Sequence, residues 1–594
     1  MQLTFLLVVA SVVLTSASNN MECTFCTISL GLIEQNQLQL KLKDKLMAKC
    51  SEKSKLERKA CEASVEKVIN SLLKKAQPDA MCGKLSMCDG FEQCKLFPQW
   101  PLEELPSKPK EWPTERRQLL DISNLRDHHV LKEYFQGIVE KFKLPERDHS
   151  FYTAARVVVA LMQDIHADDS TVLEESDGCD QKDIKCHLEA VGKHLPVQDS
   201  DQDFYGSTYE TLRGTDWRGT DCDDKNNDVY PGRLSKDGDL DIDHNCNAIV
   251  GGNSTGSYED MFCSGPNQPH GLIMLGDSAT AHFHLPPQWV TADGWNLHGA
   301  KNAIKNELDY PMCSWGTAHV DNPEKCPFQD SVPGLPDGQI VSLYTQLRDR
   351  NRCMNQDFQN VGVNGARITS SSGLVDAMAR NQESDAPALV WLTLLGNDVC
   401  NGHPGTGHMT TPEDFYNKAM ETLTRLDTLL PRGSTVVSTA LFDGELLYKT
   451  MENQQHPVGN TYPQFYDYLN CMQESPCYGW LNSNATMRAE TTQRAHELDA
   501  VYQNIYDNER SQFKNFEYVY FQPDWQGMFD AYAKEKGVEN LPNLIEKSDG
   551  FHPSQAANAL FAIEFFSFFE KNHPEALGSV NPHNAEIDAL FFSP

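Results

Sequence analysis

Ser278 stands directly behind an apolar run, GLIMLGD (271–277), and three further reactive groupings follow it in order. NVGVNG (360–365) supplies glycines, LVWLTLLGND (389–398) ends in Gly-Asn-Asp, and SDGFHPS (548–554) sets Asp549 three residues before His552. A serine hydroxyl becomes a nucleophile when a base within hydrogen-bond reach takes its proton. A carboxylate on the far ring nitrogen fixes the tautomer of that base and steadies the imidazolium. His552 and Asp549 are the right types for these two roles. The negative charge that develops on an attacked carbonyl needs N–H donors, and a glycine-bearing turn and an asparagine amide are types that can supply them. Each fragment alone is common; in this order they predict a serine esterase. Asp277 reads as a residue that shapes the turn. His282 and His284 read as structural histidines rather than a second base. Arg367 reads equally well as a phosphate ligand or as the partner of an acid.

These residues need a scaffold that brings distant stretches to one edge. GLIML (271–275), LVWLTLL (389–395), TVVSTALF (435–442) and FEYVYF (516–521) have the continuous apolar character of strands buried on both faces. TPEDFYNKAMETLTRLDTLL (411–430) predicts a helix with Thr411 as cap and Pro412 at its first position, and SQAANALFAIEFFSFFEKN (554–572) another, capped by Ser554. Strands alternating with helices predict an α/β fold, a parallel sheet with helices on both faces and reactive groups at the carboxyl ends of the strands. With these motifs in place, 265–575 resembles the GDSL, or SGNH, hydrolase family. The resemblance implies a three-layer αβα domain with Ser278 as nucleophile, Gly365 and Asn397 as oxyanion donors, His552 as base and Asp549 as its orienting acid.

Ahead of the esterase run acidic loops. Asp199, Asp201 and Asp203 occupy positions 1, 3 and 5 of a calcium-loop pattern, Tyr205 the carbonyl position and Glu210 position 12, although Phe204 replaces the usual glycine. TDCDDKNNDVYPG (220–232) and KDGDLDIDHNCN (236–247) add Asp221, Asp223, Asp224, Asp228, Asp239, Asp243, Asn245 and Asn247 as candidate ligands. Oxygen donors at this density suit calcium rather than zinc or copper, in a structural role. Cys222 and Cys246 are expected to staple the segment, and Cys471 to pair with Cys477.

The 594 residues carry 18 cysteines and a formal net charge of −33, which argues against nucleic acid as a partner. Residues 2–17 are apolar and lead into small residues, as in a signal peptide (1–18). With that, the cysteines and two sequons at Asn253 and Asn484 predict a secreted or lysosomal glycoprotein with disulfides. Cys23, Cys26, Cys50, Cys61, Cys82 and Cys88 lie among helical patterns in 19–95, and between Asn36 and Ala76 eleven Lys/Arg face five Asp/Glu. This layout resembles a saposin-type domain, which implies Cys23–Cys88, Cys26–Cys82 and Cys50–Cys61 and an apolar leaf with a basic rim, suited to acyl chains beside anionic headgroups. Residues 96–150, rich in Pro and charge, read as a linker open to cleavage, and 151–262 and 263–594 as the calcium segment and the esterase domain. Cys94 leaves both cysteine sets odd, so a bond from it to the large region is expected.

A saposin-type module, an acidic segment and a GDSL hydrolase in one chain resemble the acyloxyacyl hydrolase family. That resemblance implies lipopolysaccharide, with its lipid A moiety, as substrate, loss of secondary acyl chains, and a zymogen cut into disulfide-linked small and large subunits. A broader phospholipase or lysophospholipase shares the chemistry and is the alternative. It would take phospholipids at a membrane or micelle surface.

Overall fold

The computed structural model describes residues 23–24, 27–28, 79, 88, 93–96, 193–207, 213–284, 308–320, 326, 340–394 and 396–592. Most of the expected saposin-type domain, the 96–150 linker and Glu210 lie outside them. The chain divides into two compact units.

The larger unit takes Val159–Pro286, Leu297–Gln454 and Pro476–Pro594. Its centre is a five-stranded sheet of β1 (Gly271–Gly276), β2 (Phe358–Asn360), β3 (Ala388–Thr393), β4 (Ser434–Thr439) and β5 (Phe516–Phe521). The order is β2-β1-β3-β4-β5 and every pair is parallel. β1 is buried throughout, as its apolar run requires, and β4 (STVVST) is buried throughout although most of its residues carry hydroxyls. The helices used below are α1 (Ser278–Ala281), α2 (Gly396–Val399), α3 (Pro412–Leu429), α4 (Ala485–Asn508) and α5 (Gln555–Asn572).

Helices cover both faces. Met274, Trp391, Val437 and Val519 share one core with Phe565 and Phe569 of α5. α4 packs against β5 and meets α3 where Phe415 and Tyr502 make an edge contact at 4.9 Å. The two helices expected from caps start where expected: Thr411 Oγ1 accepts from the Asp414 amide at 3.1 Å, and Ser554 Oγ from the Ala557 amide at 3.4 Å. This is the GDSL/SGNH type of α/β fold. Strand β2 has no counterpart in the sequence reading, because Phe358-Gln359-Asn360 is short and mostly polar.

The smaller unit takes Met1–Val158, Pro287–Asn296 and Gln455–Ser475. In it Cys23 bonds Cys88, as the saposin resemblance implied, and Cys94 bonds Cys471. The bonds Cys26–Cys82 and Cys50–Cys61 fall outside the described residues. The expected Cys471–Cys477 pair is wrong. Cys471 sits on the helix Tyr462–Met472, which belongs to this unit, whereas Cys477 lies in the larger one and bonds Cys400. Closeness in sequence does not overcome a helix end that sends the chain elsewhere. Cys222–Cys246 forms as expected, and Cys263–Cys353 and Cys313–Cys326 complete the described bridges.

Candidate active site

β1 ends at Gly276, and the chain turns at once into α1. Asp277 caps that helix, its carboxylate accepting from the Ala279 amide at 3.0 Å. The cap leaves Ser278 as the first helical residue at the carboxyl end of β1. A loop from Leu544 to Ser554 comes to meet it. Both ends of the loop are tied: the Glu546 amide donates to the His552 carbonyl at 2.8 Å and the Ser554 amide to the Leu544 carbonyl at 3.0 Å. Gly550 bends it at φ 66°, a conformation glycine adopts without steric cost.

In this setting His552 Nε2 lies 2.8 Å from Ser278 Oγ, and His552 Nδ1 lies 2.5 Å from Asp549 Oδ2. The other Asp549 oxygen accepts from the amides of Phe551 (2.8 Å) and His552 (3.2 Å). Burial alone would raise the Asp549 carboxyl. The facing His552 ring and the amide donors outweigh it and hold the group below the ordinary carboxylate value, hence ionised. The Phe283 ring lies 4.5 Å from the His552 ring and limits its rotation.

The loop after β2 continues along β1, with the Val361 and Val363 amides donating to the Met274 and Gly276 carbonyls at 2.8 and 3.0 Å. Val363–Ala366 then form a turn closed by the Ala366 amide at 2.9 Å. Gly365 holds its third position at φ 77°, where an L side chain is strained even though the space beside it is open. Asn397 opens the first turn of α2. Its Nδ2 donates to the Ala366 carbonyl at 3.1 Å and approaches Asp277 Oδ2 at 3.4 Å. Gly365 and Asn397 are thus linked through Ala366, and Asn397 reaches the residue next to Ser278. Burial pushes Asp277 up to about 6.

Asp398, the last residue of Gly-Asn-Asp, carries a role that the sequence reading missed. It is fully buried and accepts from the Ile368 amide (2.9 Å) and the Thr410 hydroxyl (2.6 Å), anchoring the flanking loops. Among the described residues the Arg367 guanidinium donates to the His408 carbonyl at 3.4 Å and its charge acts on Asp398. Behind Ser278 opens a cavity of about 180 Å³ walled by Leu447, Trp480, Trp525, Phe529, Phe561 and Phe565.

In the acidic loops two groups of carboxylates converge. Asp199, Asp201 and Asp203 bring ligand oxygens within 4.8 Å of one another, as do Asp201, Asp221 and Asp224. Among the described residues both Asp201 oxygens, one of Asp203 and one of Asp221 are buried without a hydrogen bond of good geometry. Burial, reinforced by neighbouring carboxylates, pushes Asp199 up to about 6, Asp221 to about 7 and Asp203 to about 9. Convergent, unsatisfied hard oxygens fit a calcium-sized cation. Tyr205 stacks on Tyr230, and its amide, not its carbonyl, is the group seen to be engaged, donating to Asp203 at 2.8 Å. Asp223 is exposed.

The remaining candidates fall outside both groups. Asp228 pairs with Arg233 and Lys236, and Asp239 with His244. Asp243 accepts from the Asn247 and Ala248 amides, and the Asn245 and Asn247 side chains donate to Glu259. Spacing alone does not separate an oxygen that awaits an ion from one that already holds a loop together.

Residues 272–565 match the GDSL-like Lipase/Acylhydrolase family model. Acyloxyacyl hydrolase from Homo sapiens is 39% identical over 413 residues, and its counterpart from Oryctolagus cuniculus is 38% identical over 414. Each alignment covers 68% of this chain and 69% of the relative. The chain belongs to the acyloxyacyl hydrolase family. As a member of that family it is a carboxylic ester hydrolase. An acetyl xylan esterase from Geobacillus stearothermophilus, at 13% identity over 51% of this chain and 95% of its own, gives a TM-score of 0.26, too low to bear on the family's chemistry.

Proposed function

We propose that this chain hydrolyses acyloxyacyl esters, in which one fatty acyl chain is esterified to the hydroxyl of another, as found in the lipid A of bacterial lipopolysaccharide. The relatives are named for this bond. The observation that carries the reading is the Ser278–His552–Asp549 relay set at the mouth of an apolar, aromatic-walled cavity.

His552 Nε2 takes the Ser278 proton as the hydroxyl oxygen attacks the ester carbonyl. Asp549 holds the proton on Nδ1 and offsets the imidazolium charge. The tetrahedral oxyanion is met by the Asn397 amide and the backbone N–H groups of Ser278 and Gly365, each such donor contributing roughly 3–4 kcal/mol. Imidazolium then protonates the departing hydroxyl, which remains on the primary acyl chain. Water activated by the same imidazole releases the secondary fatty acid from Ser278. The cavity takes the acyl chain of that intermediate.

The basic saposin-type segment would hold the substrate aggregate beside the esterase and raise its local concentration. Calcium at Asp199, Asp201, Asp203, Asp221 and Asp224 would neutralise buried carboxylates and stiffen the acidic loops. A secreted or vesicular location fits the cysteine content. After a cut in 96–150, Cys94–Cys471 would keep the two products joined.

Mass spectrometry of lipopolysaccharide incubated with the full chain tests the proposal. Loss of secondary acyl chains from lipid A, absent with Ser278→Ala, supports it. Release of fatty acid from phosphatidylcholine with lipid A untouched would replace it with a phospholipase.

A further inference from the structure

His282, His284 and Glu546 come together beside the relay without belonging to it. All three are buried, at 0%, 3% and 4% exposure. The ligand atoms they offer lie within 4.8 Å of one another. Phe283 pairs with Asp309 in a β-bridge and lays its own ring on His552, while the two flanking imidazoles stand 5.9 Å apart. Glu546 arrives from the loop that ends at His552, and its carboxylate meets Nδ1 of His284.

His282 gives the arrangement its direction. Among the described residues neither ring nitrogen makes a hydrogen bond of good geometry, and only the backbones of Tyr310 and Cys313 approach it as weak partners. Buried imidazole nitrogens normally find a partner, because losing water without a replacement is costly. A fully enclosed imidazole next to a second imidazole and a carboxylate has the makings of a ligand.

We propose that His282, His284 and Glu546 bind a divalent transition-metal ion of the zinc class. Two imidazoles and one carboxylate match the donor set of three-ligand zinc sites that keep a fourth position open. Calcium does not fit, since it takes six to eight oxygens. The ion would act on position rather than on the ester. It would tie the turn that follows Ser278 to the loop that presents Asp549 and His552, two stretches separated by more than 250 residues. The three side chains are positioning residues for the relay.

Cobalt(II) reports such a site directly. The full chain, stripped with chelator and reloaded with excess calcium, is titrated with cobalt(II). The expected result is one equivalent giving the intense visible bands of a four-coordinate nitrogen–oxygen site, abolished by zinc. The calcium loops offer oxygen donors and give only weak bands. Glu546→Gln and His282→Asn are expected to weaken zinc binding more than about a hundredfold, since loss of outer-shell partners alone costs 10–100-fold. No intense band in the wild-type chain, or equal bands in the wild-type chain and both variants, overturns the proposal. If a variant does not fold, the wild-type spectrum and its response to zinc decide alone.

Discussion

The Glu546 amide donates to the His552 carbonyl at 2.8 Å, so the loop that carries both acid and base of the relay is closed on itself before it meets Ser278. Asp549 sits inside that closure and accepts from two of the loop's own amides. The acid is therefore held twice, by the ring it orients and by the backbone it bends.

That arrangement sets the expected cost of removing each member. Ser278→Ala should lower kcat by on the order of 10⁶. Asp549→Asn can keep the amide contacts but favours the wrong imidazole tautomer, and should cost roughly 10⁴. Fatty acid release, with far-UV circular dichroism unchanged, checks both values. A loss under tenfold for either would remove that residue from the chemistry.

Asn397→Ala separates a charge-stabilising role from a scaffolding one. Loss of a donor that acts only in the transition state should reduce kcat by 10²–10³, about 3–4 kcal/mol, with KM nearly constant. A raised KM at constant kcat would mean that the Asn397–Ala366 contact only shapes the entrance.

Leu447 lines the cavity and is buried. Leu447→Trp should fill space that an acyl chain needs. Hydrolysis of long-chain esters is expected to fall at least tenfold while that of short-chain esters persists, read as kcat/KM across a chain-length series. Equal losses at all lengths would place the acyl chain elsewhere.

The acidic loops predict a pH dependence with a definite sign. Burial raises Asp199 to about 6, Asp221 to about 7 and Asp203 to about 9. Without cations the folded chain keeps protons that the unfolded chain has released, so stability is highest near pH 4 and falls as pH rises through 6 to 9. Calcium replaces those protons, and the rise in Tm that it gives should be larger at pH 8 than at pH 5. A rise that is equal, or larger at pH 5, would refute cation binding at these carboxylates.

Much of the hydrolase was legible because its signals are local. β1 and β3 are continuous apolar runs, β4 and β5 carry apolar centres, and Thr411 and Ser554 announce their helices with side-chain caps. β2 was not legible, since Gln359 and Asn360 are buried by neighbours rather than by their own hydrophobicity. Asp398 was passed over because its partners, Ile368 and Thr410, lie 30 and 12 residues away. Asp239 and Asn247 have the composition of ligands but are taken by His244 and Glu259.

The grouping of Gln455–Ser475 with the smaller unit bears on any attempt to shorten this protein. A fragment beginning at residue 263 would retain the whole sheet and the whole relay, yet carry a helix whose Tyr462, Phe465, Tyr466, Tyr468, Leu469 and Met472 are buried in the intact chain. It would also carry Cys471 as an orphan thiol. A truncated hydrolase made without the amino-terminal region should therefore aggregate or cross-link through that helix unless 455–475 is excised with it.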